Sequence, residues 1–293
     1  MFREFECLEN VELKNFSTIK IGGKIDYIVF PKNHIELLNV LERIKTNNLR
    51  WFVLGNGSNI LFSDNGFRGV AVSLKHFNKV VRIDDSVWCG AGINAFALNN
   101  KLLKLGLSGV EWSYGIPATL GGMVVNNAGC FGNEVGEYVE EVLIVGNEKL
   151  RVVKREDLLF DYRSAKLGNV DLKKYVVLAI KLQLFQEKSE IIAKNMQNYL
   201  KKKRENQPCD KLSLGSVFKR ICAKEVIFPA KFIDELGLKG MKIGGAEISE
   251  KHSGFIINLG NATADDVLKL IALIERKLAM IKVFPEREIE VFV

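Results

Sequence analysis

The chain has no Cys-x-x-Cys pair, no apolar run approaching the roughly 18 residues of a membrane span, and only three histidines and five prolines in 293 residues. Each scarcity removes a class of protein. The cysteines at 7, 89, 130, 209 and 222 are odd in number and scattered, which argues against a disulfide framework and against a zinc site. The histidines cluster neither with one another nor with cysteine, so no metal is expected, and His252 reads as a buried structural histidine. No N-terminal stretch has the basic, apolar and small-residue order of a signal peptide, and a cytoplasmic address is expected. Both common nucleotide fingerprints are missing too. The glycine cluster at 55–57 continues as Ser58-Asn59-Ile60-Leu61-Phe62, which supplies neither the third glycine of a dinucleotide motif nor the Gly-Lys-Ser/Thr of a P-loop.

The chain does have a formal charge of +7, 47% hydrophobic residues and 25 glycines. That hydrophobic content over this length permits a large core and two or three lobes. The one dense basic run, Lys201-Lys202-Lys203-Arg204, closes a helical pattern with Ile192, Met196, Tyr199 and Leu200 as its apolar positions. Cations in a last helical turn complement the dipole. No aromatics interleave with this run as a stacking platform would require, so nucleic acid is not an expected partner. A diphosphate-bearing cofactor or substrate accounts for some of the excess Lys and Arg.

Two glycine-rich segments stand out. Leu54-Gly55-Asn56-Gly57-Ser58-Asn59 follows the apolar run Trp51-Phe52-Val53 and reads as a turn ending a strand. Glycines recur at 115, 121, 122, 129 and 132, with Asn126 and Asn127 between them. Glycine lets the main chain take positive φ or approach a ligand closely, and successive main-chain amides form an anion cradle.

Around these segments the pattern is α+β. Asn33 followed by Glu36 opens a helix with Leu37, Leu41 and Ile44 on one face. Strands are expected at 70–74, 79–83 and 87–89, a hairpin over 142–153 turning at Gly146-Asn147, and a further strand at 180–184. A helix runs from Ser189 towards Pro208. The C-terminal part carries a strand at 255–257 and a helix over 265–280 with a Thr263/Asp266 capping box. The stripe Val267, Leu270, Ile274 and Leu278 is assigned to core packing.

Read in order, the motifs Thr18-Ile-Lys-Ile-Gly22-Gly23, Gly55-Asn-Gly-Ser-Asn59, Gly115-Ile-Pro-Ala-Thr-Leu-Gly-Gly122, Asn127-Ala-Gly-Cys-Phe-Gly132, Tyr162-Arg163-Ser164, Gly215-Ser-Val-Phe-Lys219 and Gly244-Gly-Ala246 followed by His252 span nearly the whole chain. Together they resemble the UDP-N-acetylenolpyruvoylglucosamine reductases. The short segment 165–174 resembles the branch of that family lacking a tyrosine-bearing loop. The resemblance implies a two-lobed FAD-binding module of the vanillyl-alcohol-oxidase type plus a C-terminal α+β substrate domain. The expected boundaries are 1–75, 76–188 and 189–293, with the strand 284–293 returning to the active site. It also implies an enzyme in which NADPH reduces non-covalent FAD, and the reduced flavin then reduces the enolpyruvyl ether of a UDP-sugar to a lactyl ether in peptidoglycan precursor synthesis. No membrane insertion is expected, and a monomer is expected.

The resemblance places FAD against Gly55, Asn56, Gly57, Ser58 and Asn59, and against Gly115, Ile116, Pro117, Thr119, Gly121, Gly122, Asn127, Ala128 and Gly129. Lys219 and Tyr162 are implied as substrate contacts. Hydride delivery to an enolpyruvyl β-carbon leaves negative charge on the carbon beside the carboxylate, so the site needs a fixed cation and a proton donor. Arg163 is the candidate cation, because a guanidinium fork fits a carboxylate, and the family's catalytic arginine sits in this Tyr-Arg pattern. Ser216 matches the family's proton-donating serine, although serine needs a nearby carboxylate, cation or relay to act as an acid. The closing segment Pro285-Glu-Arg-Glu-Ile-Glu-Val291 supplies the carboxylate. Glu288 is the candidate; Glu286 and Glu290 share its strand parity, so all three can project to one face, and Glu286 is the runner-up. A flavin oxidase of the same superfamily acting on another substrate is the alternative. It would share the glycine loops and lack the Ser216 and Glu288 patterns. A flavin-free nucleotide or nucleic-acid module would be colourless.

Overall fold

In the computed structural model the described residues are 1–83, 86–146, 149–222 and 225–292. They form two compact units, each assembled from discontinuous chain. The first comprises Met1–Leu8, Tyr27–Asn56 and Gly69–Lys202; the second comprises Glu9–Asp26, Gly57–Arg68 and Lys203–Val293.

The first unit contains a five-stranded antiparallel sheet in the spatial order Lys149–Lys154, Val139–Gly146, Val176–Leu182, Ser86–Gly90, Val80–Ile83. The hairpin over 142–153 is present, with Val142 opposite Val153; Gly146, expected in the turn, ends the strand paired with Lys149, and Asn147 lies outside the described residues. The strand expected at 180–184 is Val176–Leu182, which pairs along Val139–Val145 on one side and, through Ala179–Leu182, with Val87–Gly90 on the other. Its inward residues, with Val142, Ile144, Val87 and Cys89, are fully buried. Burial pushes the Cys89 thiol up to about 12 and keeps it an inert core group.

The helix opened by Asn33 is His34–Thr46. The Asn33 side chain accepts from Glu36 N at 2.9 Å, and Glu36 Oε2 in turn accepts from Lys32 N at 2.9 Å. Strand Trp51–Leu54 follows and pairs in parallel with residues 70–73, which delivers the glycine loop at the strand's carboxyl end. The helix from Ser189 ends at Asn206, with Lys203 and Arg204 in its last turn as expected.

The second unit is built on the antiparallel sheet Leu212–Ser216, Phe255–Asn258, Ala246–Ile248, Lys242–Ile243. Helix Ala264–Met280 covers it, with both halves of the Thr263/Asp266 capping box formed. Val267, Leu270, Ile274 and Leu278 are all buried in one cluster with Ile19, Ile21, Leu61, Val217 and Phe218, so the stripe is core packing. Each such side chain contributes about 1.5–3 kcal/mol on burial. The end of the chain returns as strand Glu290–Phe292, parallel to Ile60–Phe62. Among the described residues no helix is long and apolar enough to cross a membrane, and no group of three or more His, Cys, Asp or Glu is placed to hold a metal.

Candidate active site

Within 55–59 no backbone amide donates a hydrogen bond to protein among the described residues. Five consecutive donors are therefore available to an external acceptor, and the segment contains no carboxylate. The loop depends on its glycines. A Cβ at Gly55 would stand 2.8 Å from Thr119 Oγ1, and Gly57 sits at φ +58° where a Cβ would run into the Phe16 carbonyl oxygen. Thr119 does a second job. Its hydroxyl accepts from Gly122 N at 3.3 Å and caps the short helix Leu120–Val125. Gly121 N donates to Ala91 O at 2.8 Å, and a Cβ there would lie 2.9 Å from Ala91 Cβ, so glycine is what lets this helix press onto the sheet. Gly115 turns at φ +92° before Ile116 and the exposed Pro117.

The same unit fixes Arg163. Strands Leu158–Asp161 and Ser164–Leu167 pair with Asp161 opposite Ser164, which leaves Tyr162 and Arg163 as the two residues of the turn. Arg163 occupies φ +54°, an uncommon state for a residue with a Cβ. Its guanidinium donates to Gly129 O at 3.0 Å and Asn127 O at 3.4 Å, and its Cζ lies 4.8 Å from the centre of the Tyr162 ring. Asn127 anchors that contact from below. Only 1% exposed, it donates to Glu134 Oε2 at 2.7 Å and Asp161 O at 2.9 Å and accepts from Gly136 N at 2.9 Å. The structure thus brings Asn127, Gly129, Tyr162 and Arg163 together. The Asn127 side chain is committed to holding the Arg163 turn against the glycine strand. Glu134, which closes this network, carried no signal in the sequence.

In the second unit, Ser216 follows a β-bulge. Ser213 pairs with Ile257 and Ser216 with Phe255, so three steps on one strand face two on the other. Gly215 supplies the extra residue at φ +81°, and a Cβ there would meet nothing within 4 Å, which makes its requirement one of backbone conformation. Ser216 Oγ donates to Phe218 O at 3.1 Å. Beyond it the chain pairs with the C-terminal segment: Glu288 N donates to Val217 O at 2.7 Å and Lys219 N to Glu286 O at 2.8 Å, flanking the Phe218–Arg287 bridge. Lys219 pairs with Glu286 at 3.1 Å, while Arg287 grips Glu275 at 2.6 and 2.7 Å. Asn59 joins this edge, donating to Glu288 O at 3.1 Å and accepting from Glu290 N at 2.9 Å. Ser216, Lys219, Glu286, Glu288 and Asn59 therefore lie on adjoining backbone. The two glutamates differ. Glu286 pairs with Lys219 at 3.1 Å and its side chain is 80% exposed, whereas Glu288 is half-buried.

One reading from the sequence needs adjusting. His252 is half-buried. Its Nδ1 accepts from Gly254 N at 3.1 Å, its ring meets Phe255 edge-on, and burial lowers its pKa below the usual imidazole value. Cys130 is also half-buried, with its Sγ 3.2 Å from Trp112 O.

A strand-borne glycine loop and a second glycine segment capped by Thr119, with a separate antiparallel sheet unit, make up an α+β architecture. A family model described as an FAD binding domain matches residues 25–148, and one described as the C-terminal domain of UDP-N-acetylenolpyruvoylglucosamine reductase matches residues 207–291. The chain is 39% identical over 270 residues to the UDP-N-acetylenolpyruvoylglucosamine reductase of Syntrophomonas wolfei, covering 92% of this chain and 88% of that protein. It is 39% identical over 279 residues to the enzyme of that name from Caldicellulosiruptor bescii, covering 93% and 86%. The crystal structure of UDP-N-acetylenolpyruvylglucosamine reductase from Thermus caldophilus superposes with a TM-score of 0.82 at 32% identity, covering 97% of this chain and 98% of that one. The fold is an FAD-binding domain followed by the C-terminal domain of the UDP-N-acetylenolpyruvoylglucosamine reductases. This chain belongs to the UDP-N-acetylenolpyruvoylglucosamine reductase family.

The residues present fit FAD. The amides of 55–59 with no protein acceptor among the described residues are the kind of donor set that an anionic diphosphate takes.

Proposed function

We propose that this protein catalyses the NADPH-dependent, FAD-mediated reduction of UDP-N-acetyl-3-O-(1-carboxyvinyl)glucosamine to UDP-N-acetylmuramate. The observation that carries the reading, beside family membership, is the pairing of 217–219 with 286–288, which sets Ser216, Lys219 and Glu288 on adjoining backbone. FAD, when bound, would supply the hydride chemistry between NADPH and the β-carbon of the enolpyruvyl group.

The residues do the rest. The amides of Gly55, Asn56, Gly57, Ser58 and Asn59 would hold the diphosphate of the cofactor, and residues from Gly115 to Gly129 would hold its flavin. Arg163, fixed on the carbonyls of Asn127 and Gly129, holds the substrate carboxylate and offsets the negative charge that develops beside it. Ser216 delivers a proton to the carbon next to the carboxylate, which completes the net addition of hydride and proton across the double bond. Glu288 returns a proton to the Ser216 hydroxyl through a hydrogen-bond relay. Lys219 and Tyr162 contact the substrate. We assign 1–75 and 76–188 to the two FAD-binding lobes and 189–293 to the substrate domain, and the protein to the cytoplasm as a monomer.

An anaerobic visible spectrum after one equivalent of NADPH, followed by the enolpyruvyl UDP-sugar, tests the reading. Bleaching and then recovery of the flavin band are expected. A flavin that bleaches and stays reduced removes the substrate assignment and favours an oxidase acting on another compound.

The glutamates separate by substitution. Glu286→Gln breaks one exposed pair with Lys219, of a kind worth about 0–1 kcal/mol, and is expected to leave reoxidation by substrate within about twofold. Glu288→Gln removes a proton-handling carboxylate and is expected to slow that step about 100-fold. The reverse pattern in single-turnover kinetics reassigns the role to Glu286.

A further inference from the structure

The Thr18-Ile-Lys-Ile-Gly22-Gly23 motif has no part in the chemistry above, yet its first residue touches two parts of the second unit that do. Thr18 N donates to Gly57 O at 3.2 Å, while its hydroxyl lies 2.6 Å from Ser213 O and 3.5 Å from Gly57 O. A hydroxyl has one proton to give, and the 2.6 Å contact is at the short, strong end for O–H to O bonds. The main chain of Thr18 therefore holds the glycine loop, and its side chain holds Ser213.

Ser213 is the last paired residue before the bulge that turns out Ser216, and Leu212–Ser216 is an edge strand of its sheet. Carbonyls on the outer side of an edge strand have no ladder partner, and a strand with a glycine at φ +81° is free to twist there unless it is braced. The next residue supplies a second brace. Ile19 O accepts from the buried Asn258 Nδ2 at 2.8 Å, and Asn258 is the residue opposite Leu212. Residues 18 and 19 thus clamp both strands immediately before the bulge, and Val217 N to Gly254 O at 2.9 Å fixes the chain just after it.

We propose that the Thr18 hydroxyl is a positioning residue for Ser216, setting the direction in which the bulge presents the acid. The proposal rests on the assignment of Ser216 as proton donor. Displacement of a catalytic group by about 1 Å costs on the order of 100-fold in rate, so a lost brace has a measurable effect without loss of the fold.

The test uses the FAD-loaded full chain in anaerobic stopped flow, with FAD affinity of the apoprotein measured by fluorescence titration. Thr18→Val keeps the shape and the main-chain bond to Gly57 while removing the hydroxyl. We expect FAD affinity and NADPH-driven bleaching to stay within about threefold, reoxidation by the enolpyruvyl UDP-sugar to fall roughly 10- to 100-fold, and Thr18→Ser to recover most of the loss. In a Ser216→Ala background, Thr18→Val should cost nothing further, because a brace on an absent hydroxyl has no effect. Equal loss in both half-reactions, loss of FAD affinity, no recovery with Ser, or additivity with Ser216→Ala would each overturn the proposal. If Thr18→Val fails to fold, Thr18→Ala carries the same comparison. If Ser216→Ala alone reoxidises normally, the acid assignment fails first and the positioning role falls with it; if Ser216→Ala is impaired while Thr18→Val is not, only the positioning role fails.

Discussion

Ser216→Ala is expected to bleach with NADPH at the wild-type rate and then remain reduced when the enolpyruvyl UDP-sugar is added. Positioned proton transfer contributes about 10²- to 10⁴-fold, so reoxidation should slow by that factor, equivalent to roughly 3–5 kcal/mol of barrier. The size of the effect follows from where the proton goes. Hydride addition to the β-carbon leaves charge on the carbon beside the carboxylate, and without a donor the step reverses. The substitution is nearly silent for the fold, since it removes one half-buried hydroxyl whose bond is to a carbonyl two residues away. Unchanged thermal melting with a stalled second half-reaction is the expected pair of results. Full turnover by Ser216→Ala would remove the acid assignment.

Arg163 should behave differently, because the proposed catalytic cation also occupies a turn at φ +54°. Loss of an electrostatic stabiliser of developing charge costs about 10²- to 10³-fold, and Arg163→Lys should recover little of it, since an ammonium cannot present the planar fork. Alanine adds a cost to the fold: it loses the bonds to the Asn127 and Gly129 carbonyls and must still hold φ +54°. Glycine accepts that conformation without penalty and should melt higher than alanine by roughly 1 kcal/mol. Arg163→Gly and Arg163→Ala are therefore expected to be equally slow in reoxidation and unequal in stability. If Arg163→Gly restored activity along with stability, the arginine would be a turn residue and not a catalytic one.

Local chemistry was legible in the sequence wherever one residue's neighbours in the chain decide its state. The caps at Asn33 and Thr263 formed as read, because an N-cap needs only a side-chain acceptor three residues before an amide. The buried stripe of the last helix also followed from its spacing. Glu288 and Glu286 share strand parity, so no local pattern separates them. What distinguishes them is a partner strand whose Lys219 takes Glu286, together with the half-burial of Glu288. Asn127 was read as a cofactor contact from its place beside glycines, while its side chain is turned inward to Glu134, Asp161 and Gly136, of which Asp161 is 34 residues away.

By itself the sequence determined the α+β class, the glycine-bearing loops, the family, and the identity of the residue types that the reaction needs. These depend on short-range backbone preferences and on side-chain chemistry, both written in consecutive residues. Only the tertiary structure decided how Arg163 is held by the carbonyls of a distant strand, that a one-residue bulge presents Ser216, and that Thr18 reaches Ser213 across 195 residues of chain. Hydrogen bonds between remote segments form only after the core has brought those segments together, and no local spacing encodes which carbonyl a hydroxyl will find.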